Sequence, residues 1–257
     1  RTNSAYAMVV DEADMTLDLG FIEEVDKIAS TLQSNSQLLV FSATIPQKLQ
    51  PFLQKYMNQP IRIEIENKEV ISDLIDNWLI STKSKERTEV IYNLLTIGNP
   101  YLVLIFANTK ENVEKLANQL IDRGLNVGIL HGGLDSRERR RVMREIHNLD
   151  YQFIVATDLA ARGIDIPGIS MVINTEVPKE LEFFVHRVGR TGRNQLAGTA
   201  YTFVTPDDDK AIAELEKKGI EFIPVDIVNG ELKEVKSRHA RREREDSKRD
   251  SDDPVVK

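Results

Sequence analysis

No cysteine occurs among the 257 residues, so neither disulfides nor thiolate metal sites contribute to fold or chemistry. Long apolar runs are also missing. The longest, at residues 102–107, is far below the ~20 residues a membrane-spanning helix requires. No charged-then-apolar leader precedes it, so neither membrane insertion nor secretion is indicated, and a cytoplasmic setting is expected. None of the 13 glycines is followed by lysine, so the phosphate-cradling pattern G-x-x-x-x-G-K-[ST] does not occur. There is no internal repeat. Excess positive charge is absent too: 34 basic against 41 acidic residues leave −7, which argues against indiscriminate nucleic-acid binding by the whole surface. A local basic groove stays open, because placement decides the field.

With 41% hydrophobic residues the chain can build a core. Short β-rich runs alternate with amphipathic stretches at helical spacing, which predicts α/β architecture with a mostly parallel sheet. A buried strand is expected at Ala7–Val10, a helix at 21–32, a strand at 38–41, and then a helix with Pro46 at its first position. Residues 61–65 alternate apolar and charged side chains, as a strand with one solvated face does.

A second alternation places strands at 78–82, 102–106, Val127–Leu130, Phe153–Ala156, Met171–Asn174, 200–204 and 222–225. Val113, Leu116, Ala117, Leu120 and Ile121 keep the register of a helix covering a sheet. Asp135 with Glu138 predicts a capping box, with Val142, Met143 and Ile146 as the buried stripe behind it. The expected organisation is a partial first domain over 1–66, a linker over 67–76, a complete second domain over 77–228 and a charged tail over 229–257. Residues 236–257 hold eight basic and six acidic residues, a composition expected to be disordered and solvating. An RNA-tethering tail is the alternative, although its acids cancel most of the field.

The densest signal is His186-Arg187-Val188-Gly189-Arg190-Thr191-Gly192-Arg193. Three guanidiniums spaced by two glycines suit neither helix nor strand, but they present fixed planar charge to phosphate oxygens. Asp11-Glu12-Ala13-Asp14 follows directly on a strand, at the carboxyl end where α/β folds bind ligands. A carboxylate there can hold Mg²⁺ through water, and a second can orient an attacking water. Ser42-Ala43-Thr44 follows the next strand and on its own reads as a turn or cap. Thr109 suits a helix N-cap, a role compatible with a phosphate contact. Gly132 and Gly133, after His131, leave bare backbone amides at a sheet edge, as a plain turn also does. Among Arg137, Arg139, Arg140 and Arg141, a solvated helix face accounts for all but Arg139. His186, taken alone, reads as a packed histidine.

In this order, Asp11-Glu12-Ala13-Asp14, Ser42-Ala43-Thr44, Thr157-Asp158-Leu159-Ala160-Ala161-Arg162-Gly163-Ile164-Asp165 and the arginine octet resemble the motifs of DEAD-box ATP-dependent RNA helicases. Residues 15–21 are most similar to the short bacterial cold-shock type. The resemblance runs from Ala5 to about Val225. It implies RecA-like parallel sheets flanked by helices: the back part of the ATP-binding domain, without its Q motif and phosphate loop, and a complete helicase C-terminal domain. It also implies ATP and Mg²⁺ as cofactors, with Asp11 serving the metal and Glu12 the hydrolytic water. Arg190 and Arg193 become arginine fingers, and Asp165 takes the ribose. Asp14, Ser42, Thr44, Arg162, His186 and Arg187 couple the domains, Arg187 in a structural or bridging role. Thr109, Gly132, Gly133, Arg139, Thr157 and Gly163 lie along RNA. Ser136 stands where the family places a glutamine, a departure that puts a side-chain amide contact in doubt.

The implied function is remodelling of single-stranded or short-duplex RNA coupled to ATP hydrolysis. Ribosome-assembly or RNA-decay complexes are candidate partners, and no membrane is. Two rivals stand beside this reading. One is a DNA helicase or translocase of the same superfamily. The other is a binding module without turnover, which is the expectation for this chain taken alone.

Overall fold

A computed structural model describes residues 4–18, 20–42, 45–65, 71, 74–82, 86–161, 166, 168–179, 181–192, 196–228 and 231–235. The chain divides into two compact units, residues 1–66 and 67–257.

The first unit contains β1 (Ala7–Val10) and β2 (Gln37–Val40), which pair in parallel from Ala7 opposite Gln37 to Val10 opposite Val40. Around them stand α1 (Ala13–Asp18), α2 (Ile22–Ala29) and α3 (Gln50–Tyr56). Val10, Ala13, Ala29, Leu49 and Phe52 form its small core. Three expectations change here. Along β1 only Val10 is buried, because the sheet has two strands and little covers Ala7 or Val9. Pro46 is the N-cap of a short 3-10 turn, and it is Pro51 that occupies the first turn of α3, where a missing N–H costs nothing. Residues 61–65 are not a strand. Ile61, Ile63 and Ile65 are 90%, 82% and 82% exposed, since alternation makes a strand only where a neighbouring strand offers hydrogen bonds.

In the second unit the strands are β3 (Ile75–Ser81), β4 (Val103–Phe106), β5 (Val127–Leu130), β6 (Phe153–Ala156), β7 (Met171–Asn174), β8 (Gly198–Val204), β9 (Ile223–Val228) and β10 (Glu231–Glu234). They form one sheet in the order β10-β9-β3-β8-β7-β4-β6-β5, parallel except for the antiparallel β9–β10 pair. Helices α4 (Arg87–Ile97) and α5 (Lys110–Ile121) cover one face. On the other lie α6 (Ser136–His147), α7 (Asp158–Ala161), α8 (Glu182–Val188) and α9 (Asp209–Lys217).

Two-sided cover explains the unbroken apolar runs of β4 and β6. Leu104 and Phe106 enter one core while Val103 and Ile105 enter the other. The cap expectations hold. Thr109 accepts the Asn112 N–H, and Asp135 and Glu138 close a reciprocal capping box over α6. The Glu138 and Arg137 backbone N–H groups hold the Asp135 carboxyl below its usual range. On α5 four of the five expected positions are buried, but Ile121, the last residue of the helix, is 42% exposed.

The ends of this sheet depart from the expected bounds. β3 starts at Ile75, inside the stretch taken as linker, because it pairs with β8 from Ile75 opposite Gly198 onward. β10 lies within the stretch taken as tail. Its four residues ELKE carry only one apolar side chain, yet pairing with β9 gives their backbone hydrogen-bond partners along one edge. Residues 236–257 lie outside the described residues.

Candidate functional site

The acidic tetrapeptide sits at the carboxyl end of β1. The Ala13 N–H donates to the Phe41 carbonyl at 3.1 Å, and the Asp14 N–H donates to Ser42 Oγ at 2.9 Å. The second motif therefore caps the first turn of the helix that the first motif opens. Asp14 is buried at 8% exposure, whereas Asp11 is exposed. The Glu12 N–H donates to Asp11 Oδ1 at 2.9 Å, and Glu12 adopts φ +49°, a left-handed conformation that side-chain-bearing residues seldom hold without a local reason. An exposed carboxylate at a strand end suits a hard, hydrated cation such as Mg²⁺, which retains several waters and needs few protein oxygens. Among the described residues no group of three or more carboxylates and histidines assembles a fully protein-bound metal. Thr44 lies outside the described residues.

In the second unit, the segment from His186 to Gly192 runs from α8 into a turn. Arg187 is buried at 1% exposure, and all five of its N–H groups have acceptors. Nε and one Nη reach the two Asp158 oxygens at 2.6 Å each. That second nitrogen also meets Asn108 Oδ1 at 2.6 Å, and the other Nη meets the Glu176 carbonyl at 3.1 Å and Asn174 Oδ1 at 3.5 Å. Its carbon lies 5.3 Å from the centre of the Phe106 ring. Arg187, for which the resemblance implies a structural or bridging role, thus spends its whole donor set within the second unit. Arg190 follows at the end of α8 and is half-buried, its N–H bonded to the Arg187 carbonyl at 3.1 Å. Thr191, 1% exposed, anchors the turn through its hydroxyl to the Ile169 carbonyl at 2.7 Å. Gly192 is required twice over: φ is +65°, and a Cβ there would run into the Ile75 side chain. His186 is half-buried beside Arg187. Arg193, Arg162, Gly163 and Asp165 lie outside the described residues.

The remaining expected residues line the carboxyl ends of β4, β5 and β6. Thr109 caps α5, and the Glu176 carboxylate sits at the same helix start, taking the Asn108 N–H at 3.0 Å and the Asn112 amide at 3.1 Å. The Thr157 N–H bonds the Leu130 carbonyl at 3.1 Å and so joins β6 to β5. The amides after β5 are not all bare as expected. The Gly133 N–H donates to His131 Nδ1 at 3.0 Å, and the opposite ring nitrogen lies 3.2 Å from Glu114. Gly132 is exposed with open space around its missing side chain. Arg139, the one half-buried member of its basic run, gives an N–H to the Ala160 carbonyl at 3.0 Å, binding α6 to α7.

Two descriptions match the sequence: "DEAD/DEAH box helicase" over residues 2–52 and "Helicase conserved C-terminal domain" over residues 86–195. The DEAD-box ATP-dependent RNA helicase CshB of Listeria monocytogenes is 49% identical over 98% of the chain, and its Bacillus subtilis counterpart 45% over 98%. The chain belongs to the DEAD-box helicases. It spans 58% and 57% of those two relatives, and the match to CshB supports the resemblance to the cold-shock type. Yeast Dbp5 bound to RNA and ADP BeF3 superposes with a TM-score of 0.79 at 29% identity, covering 88% of this chain and 61% of that one. The Escherichia coli DEAD-box protein SrmB bound to RraA matches at 0.57 and 29%, covering 65% of this chain and 97% of that one. The fold is accordingly RecA-like. No helix among the described residues is long and apolar enough to cross a membrane.

The motifs gave no binding or coupling role to Asn108, Asn174 and Glu176, nor to Asp158 within its own motif. Their signal was present: each is a polar residue at or just past the end of a four-residue apolar strand, where a side chain faces the ligand-bearing rim.

Proposed function

We propose that this chain forms part of an ATP-dependent RNA helicase that remodels single-stranded or short-duplex RNA. The supporting observation is the acidic tetrapeptide at the carboxyl end of β1, locked to Ser42, in a chain whose other unit ends a helix in the Arg187–Arg190 turn. In this reading Asp11 would hold Mg²⁺ through water, and Glu12 would orient and deprotonate the attacking water. Bound Mg²⁺ would offset negative charge on the transferring phosphoryl group. Arg190 and Arg193 stabilise that charge as fingers, while Asp165 accepts from the ribose. Ser42, Thr44, Asp14, Arg162 and His186 relay nucleotide state. Thr109, Gly132, Gly133, Arg139, Thr157 and Gly163 follow the RNA backbone, so base identity matters little. Ribosome-assembly and RNA-decay complexes are the partners in view, and the cytoplasm the compartment.

The chain by itself is expected to show negligible ATP hydrolysis, since it has no G-x-x-x-x-G-K-[ST] loop to cradle the β- and γ-phosphates. Phosphate release with and without single-stranded RNA measures this, and clear RNA-stimulated turnover would relocate the nucleotide site. RNA should nevertheless bind weakly, with affinity falling as salt rises and a log–log slope near 0.7 per phosphate contacted, roughly as for other single strands. Strong sequence preference with a flat salt response would remove the backbone-contact reading.

Arg190→Lys, in the chain extended to the length of its relatives, should slow RNA-stimulated ATP turnover about a hundredfold or more. Lysine keeps the charge but loses the planar fork. Nucleotide affinity without RNA and the thermal melt should stay near the parent values. A normal rate would end the finger assignment, and a lowered melt would show that Arg190 holds the fold instead.

A further inference from the structure

Arg187 is the junction of three separate turns at the sheet's carboxyl rim. Asn108, which accepts from its guanidinium, directly precedes Thr109 and also donates its amide to the Val177 carbonyl at 2.9 Å. Asp158, its ion-pair partner, directly follows Thr157. Arg187 itself accepts the Arg190 N–H through its carbonyl. Glu176 closes the circuit: its carbonyl takes an Arg187 N–H while its carboxylate takes the Asn108 N–H and the Asn112 side chain. Asn174 extends it to β8 through Thr202 Oγ1 at 3.0 Å. One planar cation therefore fixes the starts of α5 and α7 and the end of α8 relative to one another.

We propose that Arg187, held by Asp158, Asn108 and Glu176, is a positioning element that locks the turns at Thr109 and Thr157 to the turn carrying Arg190. The three move as one block. The assignment of RNA to Thr109 and Thr157 rests on the function proposed above, but the mechanical claim does not. Within this block, ordering one turn removes freedom from the others, so occupancy at one edge is felt at Arg190 without a displaced side chain between them. Only arginine can serve at the junction. Five donors in a fixed fork meet acceptors on four residues from three segments at once, and an ammonium has three donors.

The test uses the chain as it stands and reads amide hydrogen exchange. Asp158→Asn keeps the volume, removes the charge and turns an NH₂ toward the guanidinium. The amides of Asn108 and Asn112 and those of Gly189, Arg190 and Thr191 should exchange faster together, by roughly tenfold or more, while Leu104 and Ile154 in β4 and β6 keep their protection. Uniform acceleration that includes Leu104 and Ile154 would reduce Asp158 to a stability residue and overturn the proposal. Acceleration confined to residues 157–161 would overturn it as well.

A second variant, Asp158→Leu with Arg187→Met, removes both charges and should melt above Arg187→Ala, because a buried pair replaced whole by apolar side chains leaves no unpaired charge, although Asn108, Asn174 and the Glu176 carbonyl still lose a donor. Its three turns should then loosen independently, and affinity for a single-stranded homopolymer RNA should fall about tenfold. Unchanged affinity and unchanged exchange in this variant would defeat the block. If the parent chain binds no RNA while the exchange pattern appears as described, the proposed function fails and the block stands.

Discussion

Glu12→Gln, in the chain extended to the length of its relatives, is expected to lower RNA-stimulated ATP turnover by about 10²–10⁴-fold while ATP-dependent RNA binding persists. The amide keeps the shape and part of the hydrogen bonding of the carboxylate but cannot accept a proton from water. The backbone supports a local reading of the change, since Glu12 holds φ +49° through the Asp11 contact and the first turn of α1, neither of which uses its carboxylate. The measurements are steady-state phosphate release and RNA affinity with a non-hydrolysed nucleotide analogue. Equal loss of both would give Glu12 a structural role and remove it from the chemistry.

Arg187→Ala should strongly destabilise the second unit, by about 3–5 kcal/mol, because it leaves the Asp158 carboxylate without its ion-pair partner. The lower end of that range applies. The Asp158 side chain is 20% exposed, so water reaches part of what the guanidinium leaves. Asn108, Asn174 and the Glu176 carbonyl also lose a donor, and the Phe106 ring loses its covering cation. At about 2–4 °C per kcal/mol for a unit of this size, the melting temperature should fall by roughly 6–12 °C or more. Arg187→Lys should fall between the two, retaining charge without the fork. A melt of Arg187→Ala that overlays the parent would show that the network contributes nothing to the fold. This outcome also separates Arg187 from Arg190, whose conservative replacement is expected to change rate and not stability.

Much of the architecture was legible because it is written in short-range pattern. Four-residue apolar runs at Val103–Phe106 and Phe153–Ala156 mean strands covered on both faces, and the spacing of Val113, Leu116, Ala117 and Leu120 means a helix against them. Caps are equally local, so Asp135 and Thr109 were identified from neighbours within three positions. Motif order placed the functional segments at the carboxyl ends of β1, β2 and β6 and at the close of α8.

Partners were not legible, because periodicity carries no information about contacts between distant segments. Arg187 lies 29 positions from Asp158 and 79 from Asn108, and only the folded sheet brings those strand ends to one guanidinium. The same limit hid the approach of His131 to Glu114 and the attachment of Arg139 to Ala160. It hid β10 as well, a charged tetrapeptide that becomes a strand through β9 and not through its composition, and it gave residues 61–65 a strand they do not form. The sequence by itself determined the α/β class, the helix caps and the addresses of the candidate site. Tertiary structure decided which arginine in the octet is buried with its donors met inside the second unit, because burial and long-range hydrogen-bond geometry, not residue type, set what a guanidinium can reach.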